Sequence, residues 1–289
     1  MRPWSFPASV IPIFLGTMLA LADGFFNPFF FITTLVGGVL IQAGTNLFND
    51  YFDYQNGVDN YYSYGSSKVL TEGLMSPRQI FTGGLITSSL VIIIGLYLFT
   101  VRGPVILILG VVGLFTGYFY TARPIAFKYR GVGVPVVFFM MGPSMVIGSY
   151  FVQAANINWG VLWASLPVGC LVAAILYANE YRDVNHDSLH GITNLSIIFG
   201  REKARYVYYT LITSAYFLVV VMVLGDLMSA WALLTLFTLP VAFRPMRVME
   251  AVSHGKDSLQ LPIIDVLTAR LHLQFGLLFI FGIVLDFFF

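Results

Sequence analysis

The chain has 289 residues, of which 58% are hydrophobic and 10% are charged, and its formal net charge is +1. An ordinary soluble domain carries about 25% charged residues. The composition therefore excludes a soluble domain and predicts a protein that crosses a lipid bilayer several times. The net charge gives no support for nucleic acid as a partner, which needs a basic face, and the single cysteine, Cys170, leaves no intramolecular disulfide.

Nine apolar segments approach the length of about 20 residues that a helix needs to cross a bilayer. In chain order they are residues 7–22, 28–48, 81–101, 104–120, 132–152, 159–178, 206–224, 227–243 and 267–285. The pattern predicts an all-α integral membrane protein with nine transmembrane helices.

Basic residues provide a test of this count, because cytoplasmic loops collect Lys and Arg. With a cytoplasmic N-terminus, nine crossings put all but one of the 15 lysines and arginines on the cytoplasmic side and leave Arg102 opposite. We therefore predict a multi-pass protein of the inner (cytoplasmic) membrane, with its C-terminus on the opposite side. The long loops, residues 51–80, 121–131, 180–205 and 244–269, are then all cytoplasmic, and function is expected there.

Two acidic clusters interrupt the apolar pattern, each at the cytoplasmic end of a predicted helix. They consist of Asn46, Asp50 and Asp53, and of Asn179, Asp183 and Asp187. On a helix, members spaced by three or four residues share one face. Carboxylate and amide oxygens are ligands that Mg²⁺ prefers, and two facing clusters suit Mg²⁺ ions that hold a diphosphate between them. A lone Asn-Asp pair is better explained as a helix cap, but a second matching cluster favours function.

The clusters follow the second and the sixth predicted helices, so four helices separate them. Both begin with Asn and place an Asp four residues later. This offset predicts a single domain, residues 1–289, that consists of two loosely similar four-helix halves and a ninth helix.

Basic and aromatic residues near the carboxylates are further candidates. Lysines and arginines could bind phosphate oxygens that a metal leaves uncovered, although plain topology also explains a basic cytoplasmic loop. These residues are Lys68, Arg123, Lys128 and Arg130. Tyr51, Tyr120 and Tyr181 lie at cytoplasmic helix ends beside the predicted site. The sequence leaves open whether Asp59 and His186 take part.

The motifs resemble those of the UbiA superfamily of intramembrane prenyltransferases. Its Asn-Asp-x-x-Asp motif is matched by Asn49, Asp50 and Asp53, and its Asp-x-x-x-Asp motif by Asp183 and Asp187. Within the superfamily the chain most resembles the 1,4-dihydroxy-2-naphthoate prenyltransferases of menaquinone synthesis. This likeness extends nearly end to end and includes residues 73–77, 128–133 and 268–272.

The resemblance implies a bundle around a central cavity, with a Mg²⁺-dependent active site at the cytoplasmic side. The implied reaction transfers a polyprenyl group from polyprenyl diphosphate to 1,4-dihydroxy-2-naphthoate and releases diphosphate and CO₂. The implied catalytic residues are Asp50, Asp53, Asp183 and Asp187, which are also the metal ligands, with Lys68, Tyr120 and Lys128. The implied substrate-binding residues are Asn46, Asn49, Tyr51, Arg123, Arg130, Asn179 and Tyr181.

Several alternatives remain open. Val134 stands where relatives usually have Glu, and residues 190–194 replace a Gly-Lys-Arg-Thr-like run, so 4-hydroxybenzoate, homogentisate and lipid-glycerol acceptors stay in consideration. A secondary transporter is the main non-enzymatic alternative, but transporters place ionisable residues near the bilayer midplane, whereas these acids gather at one face. A CDP-alcohol phosphotransferase would need Gly where Tyr54 stands.

Overall fold

Apolar helices account for most of the chain. The computed structural model describes residues 5–60, 67–256 and 258–288, with 81% helix and no β-strand in those residues. Seven helices in the described ranges are long and apolar enough to cross a membrane, and two further apolar helices are shorter. The prediction of an all-α, multi-pass membrane protein is confirmed, while nine complete crossings stay a prediction.

Proline begins each of the first four helices. Proline lacks a backbone N–H, but at this position an N–H would have no acceptor within the helix, and the fixed φ of proline suits the first turn. They are α1 (Pro7–Ala22), α2 (Pro28–Gln55), α3 (Pro77–Arg102) and α4 (Pro104–Phe119). Side-chain caps assist two of them: Asn27 accepts hydrogen bonds at the start of α2, and Ser76 forms a capping box with Gln79 at the start of α3. α2 continues about two turns past its predicted end at residue 48, so it carries the whole first acidic cluster.

The next candidate span contains a local irregularity. α5 (Gly133–Phe139) and α6 (Met145–Ala154) are joined by a π-helical stretch, Met140–Ser144. Pro143 lies inside this stretch and cannot donate the backbone hydrogen bond that a regular helix requires. The wider π-helical turn accommodates the proline and lets the two helices continue as one span.

Polar sequence extends the later helices beyond their apolar parts. The remaining helices are α7 (Trp159–Arg182), α8 (Val184–Leu189), α9 (Leu195–Leu224), α10 (Leu239–Ser253) and α11 (Ile264–Phe288). Short 3₁₀ segments, Ala230–Thr238 and Leu261–Ile263, lead into α10 and α11. The predicted loops at residues 180–205 and 244–269 are therefore largely helical. Hydropathy marks only the part of a helix that lies in hydrocarbon, and this is why the predicted ends were wrong.

α7 lies in the interior of the bundle. It contacts α1, α5, α6, α9 and α11, and its residues 171–174 are almost fully buried. Glycines permit the closest approach, since a Cβ atom on Gly142 would lie only 2.5 Å from the Cα atom of Gly169. By contrast, α3 and α4 expose large apolar side chains such as Ile93 and Ile108, which are 63% and 61% exposed. Such exposed apolar faces are suited to contact with lipid.

Candidate active site

One cavity of about 470 Å³ brings the two acidic clusters together. Its walls come from α1 to α8 and α11, with a polar region at one end and mainly apolar residues elsewhere. The polar residues in its wall include Asn46, Asn49, Asp53, Asp59, Lys128, Asn179, Glu180, Arg182, Asp183, His186, Asp187, Asn194 and Asp265. Side chains that are far apart in the sequence therefore line one cavity.

Two members of the first cluster, Asn46 and Asp53, line this wall along one face of α2, and the third predicted member, Asp50, is replaced there by Asn49. Asn46, Asn49 and Asp53 are spaced three and four residues apart and all face the cavity. The amide of Asn46 donates to the Ser5 hydroxyl at 3.2 Å, and the amide oxygen of Asn49 accepts from Thr121 at 2.6 Å. Asp50 is buried in the same turn but is not part of the cavity wall.

Both carboxylate oxygens of Asp53 are engaged. Oδ2 pairs with the Lys128 ammonium at 2.7 Å, and Oδ1 accepts the hydroxyl hydrogen of Tyr129 at 2.6 Å. Burial lowers the pKa of Lys128, but the charges of Asp53 and then of Asp187 raise this pKa by more, so the ammonium stays protonated. Burial, followed by the charge of Asp53, raises the pKa of Tyr129 and keeps its hydroxyl a donor.

The second cluster does not lie on one continuous helix, which corrects the predicted i, i+4, i+8 arrangement. α7 ends at Arg182, and Asp183 has φ −91° and ψ 6°, outside the helical range, before α8 begins at Val184. Short polar side chains such as Asp compete with the helical backbone and favour such breaks. Asn179, Asp183 and Asp187 nevertheless all line the cavity.

Arg182 binds the second cluster to α11. Its guanidinium donates to both oxygens of Asp183, at 2.8 and 2.7 Å, and to Asp265 at 2.9 Å. The sequence analysis did not single out either Arg182 or Asp265. One signal was available, since Asp265 is an isolated acid directly before the last apolar segment.

Residues at the N-terminus of α9 donate hydrogen bonds to two acids of the wall, Asp187 and Glu180. Asn194 caps α9 by accepting from the Ile197 backbone N–H at 2.9 Å, and its amide donates to Asp187 at 2.8 Å. Glu180, also missed by the sequence analysis, accepts from the Leu195 backbone N–H at 3.1 Å. Burial raises the pKa of Asp187 although the nearby Lys128 opposes the shift.

The other predicted residues separate into two groups. Tyr120 lines the cavity together with Lys128, and Asp59 and His186 also lie in its wall. The residues that the structure places outside the wall are Tyr51, Lys68, Arg123, Arg130 and Tyr181.

These outlying residues have other surroundings. Tyr51 packs against the Phe81 ring at 4.8 Å between ring centroids, while Tyr181 is fully buried and its hydroxyl donates to the Met249 carbonyl at 3.2 Å. The predicted substrate contact of Tyr181 is therefore replaced by a packing role. Arg123 and Arg130 are exposed, which agrees with the alternative explanation that cytoplasmic loops collect basic residues.

The donor chemistry of the wall suits a divalent cation. In the described part of the chain, no group of three acidic, His or Cys side chains is close enough to hold one metal ion. Instead, Lys128 and Arg182 pair with Asp53 and Asp183. Asp53 lines the same cavity as Asp183 and Asp187, and both Asp53 and its partner Lys128 act on the pKa of Asp187, so the two clusters face each other. Facing carboxylates and amide oxygens are ligands of the type that Mg²⁺ takes.

The structure is thus a helical membrane bundle in which acidic residues from two distant parts of the chain line one cavity. The chain belongs to the UbiA prenyltransferase family, whose family model matches residues 9–258. The resemblance inferred from the motifs is thus confirmed at the level of the family.

Individual relatives cover nearly the whole chain. The 1,4-dihydroxy-2-naphthoate octaprenyltransferase of Bacillus subtilis (strain 168) is 28% identical over 287 residues, which cover 99% of this chain and 91% of the relative. The UbiA prenyltransferase domain-containing protein 1 of Gallus gallus is 31% identical over 289 residues, 99% of this chain and 83% of the relative.

Solved structures share the fold. An apo UbiA homolog from Aeropyrum pernix K1 superposes with a TM-score of 0.72 at 16% identity over 99% of both chains. A UbiA homolog from Archaeoglobus fulgidus bound to GPP and Mg²⁺ superposes with a TM-score of 0.60 at 16% identity, covering 96% of this chain and 97% of the other.

Proposed function

We propose that this protein transfers a polyprenyl group from a polyprenyl diphosphate to 1,4-dihydroxy-2-naphthoate, releases diphosphate and CO₂, and so forms a demethylmenaquinone. The observation that supports the proposal most is the cavity itself, in whose wall residues of both acidic clusters lie while most of the other lining residues are apolar. A diphosphate with a long hydrocarbon tail has the same division between a charged and an apolar part.

The polar end would hold the diphosphate. We assign Asp53, Asp183 and Asp187 as Mg²⁺ ligands, with Asp50 assigned from the motif, and Asn46, Asn49 and Asn179 as amide contacts. When bound, Mg²⁺ supplies positive charge that stabilises the diphosphate as it leaves. Lys128, whose side chain keeps 27% exposure, would contact the phosphate oxygens from its position beside Asp53.

The apolar part would hold the prenyl tail. Several lining positions on α4 are glycines, and a Cβ atom at Gly110 or Gly113 would find nothing within 4 Å, so open space lies beside the backbone. Removing a long isoprenoid from water is strongly favourable, about 25 cal/mol for each Å² of apolar surface buried. A membrane-embedded cavity is therefore the natural location for this substrate.

The chemical step needs no covalent enzyme intermediate. Cleavage of the bond between C1 of the prenyl group and oxygen leaves an allylic cation and a diphosphate anion. The electron-rich ring carbon that bears the carboxylate then attacks C1. Loss of that carboxylate as CO₂ returns the electron pair to the ring and restores aromaticity. The protein's part is to orient the two substrates, exclude water and stabilise the leaving group.

Two relatives support this choice of acceptor and cation. The Bacillus subtilis relative is named as an enzyme that acts on 1,4-dihydroxy-2-naphthoate, and the Archaeoglobus fulgidus homolog is described with GPP and Mg²⁺ bound. Another aromatic acceptor, such as 4-hydroxybenzoate or homogentisate, is the second candidate, because the run at residues 190–194 differs from the naphthoate branch.

An acceptor panel tests the proposal. Purified protein in lipid nanodiscs is incubated with Mg²⁺, a radiolabelled polyprenyl diphosphate and one acceptor at a time. We expect a prenylated product with carboxyl-labelled 1,4-dihydroxy-2-naphthoate, with one labelled CO₂ released for each diphosphate. Product formed only with 4-hydroxybenzoate or homogentisate would replace the acceptor but keep the reaction class, whereas no product with any acceptor would contradict both.

A further inference from the structure

A buried chain of charges connects α11 to the second acidic cluster. Arg182 lies at its centre, with its side chain only 3% exposed, and its Nε and Nη2 atoms donate to the two oxygens of Asp183. The remaining Nη1 atom pairs with Asp265 Oδ2 at 2.9 Å. Two carboxylates thus share one guanidinium inside the cavity wall.

The Arg182 guanidinium is shared unequally between Asp183 and Asp265. Asp183 receives two hydrogen bonds in the bidentate arrangement that Arg and carboxylates favour. Asp265 receives one, and its Oδ1 atom is buried with no hydrogen-bond partner among the residues that the structure describes. A buried carboxylate oxygen without a donor is unfavourable, so Asp265 can accept a further hydrogen bond from Arg182.

We infer that Asp265 is a positioning residue that takes over Arg182 when a divalent cation binds Asp183. The inference rests on the proposed function, in which Asp183 is a cation ligand. A cation and the guanidinium compete for the same Asp183 oxygens. If Arg182 turns toward Asp265, it can donate to both Oδ1 and Oδ2 there, so its charge stays paired while Asp183 becomes available.

Two basic side chains balance part of the negative charge of the acidic wall. In the described structure Lys128 and Arg182 neutralise one member of each cluster. Lys128 keeps 27% side-chain exposure and can move onto a phosphate, but the nearly inaccessible Arg182 needs a second buried anion to receive it. Asp265 is the acid that contacts Arg182 from another helix, and it therefore sets the affinity of the second cluster for cations.

Direct Mn²⁺ binding tests the inference, with Mn²⁺ as a paramagnetic probe for the Mg²⁺ site. In Asp265→Asn the receiving charge is lost, so Arg182 remains on Asp183 and competes with the cation. We expect the Kd for Mn²⁺, measured by electron paramagnetic resonance on the purified protein, to rise about tenfold. Asp286→Asn, an exposed change on the same helix, is the matched control and should bind as the wild type does.

A second variant separates positioning from a general structural role. Arg182→Gln combined with Asp265→Asn removes both the competitor and its receiver as a neutral pair of similar shape, which buried ion pairs often tolerate. We expect this double variant to bind Mn²⁺ at least as tightly as the wild type. A purely structural role would not be rescued by the second substitution.

Three results would overturn the inference. If Asp265→Asn binds Mn²⁺ as tightly as the wild type, Asp265 has no such role and the proposed function is untouched. If the double variant binds as weakly as Asp265→Asn, competition by Arg182 is not the cause. If the wild type itself binds no Mn²⁺, the cation site of the proposed function and the role of Asp265 fail together.

Discussion

At the scale of single residues, Asp53 is held in place before any ligand binds. Lys128 and Tyr129, adjacent residues in one short turn, donate to its two oxygens at 2.7 and 2.6 Å. The turn is itself fixed, since the backbone N–H of Lys128 donates to the Tyr120 carbonyl at 2.8 Å. A carboxylate oriented in this way needs little rearrangement when it meets a cation or substrate.

Tyr129→Phe should weaken this orientation without removing a charge. The lost hydrogen bond goes to a carboxylate, and such bonds contribute about 1.5–3 kcal/mol, so we expect about a tenfold loss of transfer rate with a modest fall in melting temperature. Initial rates at saturating substrates and a melting curve measure the two effects. Tyr97→Phe, at a 42% exposed position on α3, is the control and should change neither. A wild-type rate for Tyr129→Phe would show that its hydroxyl does not orient Asp53.

At the scale of elements, helix ends position the acids of the second cluster. Asp183 and Asp187 lie at and just after the break between α7 and α8, and both line the cavity. Asn194, at the start of α9, donates a hydrogen bond to Asp187. Asn194 serves two purposes, because its oxygen caps α9 while its amide nitrogen donates to Asp187. The helix cap and the site geometry therefore depend on the same side chain.

Substitutions at Asn194 should separate those purposes. Asn194→Ser keeps a good cap but loses the hydrogen bond to Asp187, so we expect lower activity with a fall in stability similar to that of Tyr129→Phe. Asn194→Ala loses the cap as well, which destabilises the protein by a further ~1 kcal/mol. Melting curves and initial rates for the pair provide the comparison. Equal melting temperatures for Ser and Ala would show that the cap contributes nothing here.

Packing between elements makes a separate prediction about two glycines. In Gly142→Ala the new Cβ atom would meet the α7 backbone, 2.5 Å from the Gly169 Cα atom, so the helices must separate and we expect a loss of several kcal/mol. In Gly110→Ala the new atom meets nothing within 4 Å and the change should be neutral or stabilising. Thermal melting in detergent compares the two, and similar melting temperatures would contradict the close packing of the π-helical stretch Met140–Ser144 against α7.

At the scale of the whole molecule, the apolar spans and the acidic motifs were predictable from sequence because both are local patterns. The ends of α9 and α10 were not, since helices continue into polar sequence where hydropathy carries no signal. Arg182 and Asp265 were missed for another reason: their partnership joins α7 to α11, and no spacing rule encodes a contact over that distance. Tyr181 was misplaced because proximity in sequence to a motif does not decide which way a helical side chain points.

The orientation in the membrane remains a prediction of the basic-residue count, and a labelling experiment tests it. Cys170 is buried, so reactive cysteines can be introduced at exposed positions with little background. We expect Leu259→Cys to react with a membrane-impermeant thiol reagent only from the cytoplasmic side, and Asn156→Cys only from the opposite side. Reaction of both from the same side would contradict the predicted topology.

The central claim is that Asp53 and Asp187, from distant parts of the chain, act together on one diphosphate. The most direct measurement is the rate of diphosphate release by Asp53→Asn, Asp187→Asn and the double variant at saturating Mg²⁺ and acceptor, with melting curves to confirm folding. We predict that each folded single variant loses about 100-fold or more, and that the double variant loses little beyond that, because groups that act as one unit are not additive. Near wild-type release by either single variant, or losses that multiply as for independent sites, would contradict the account.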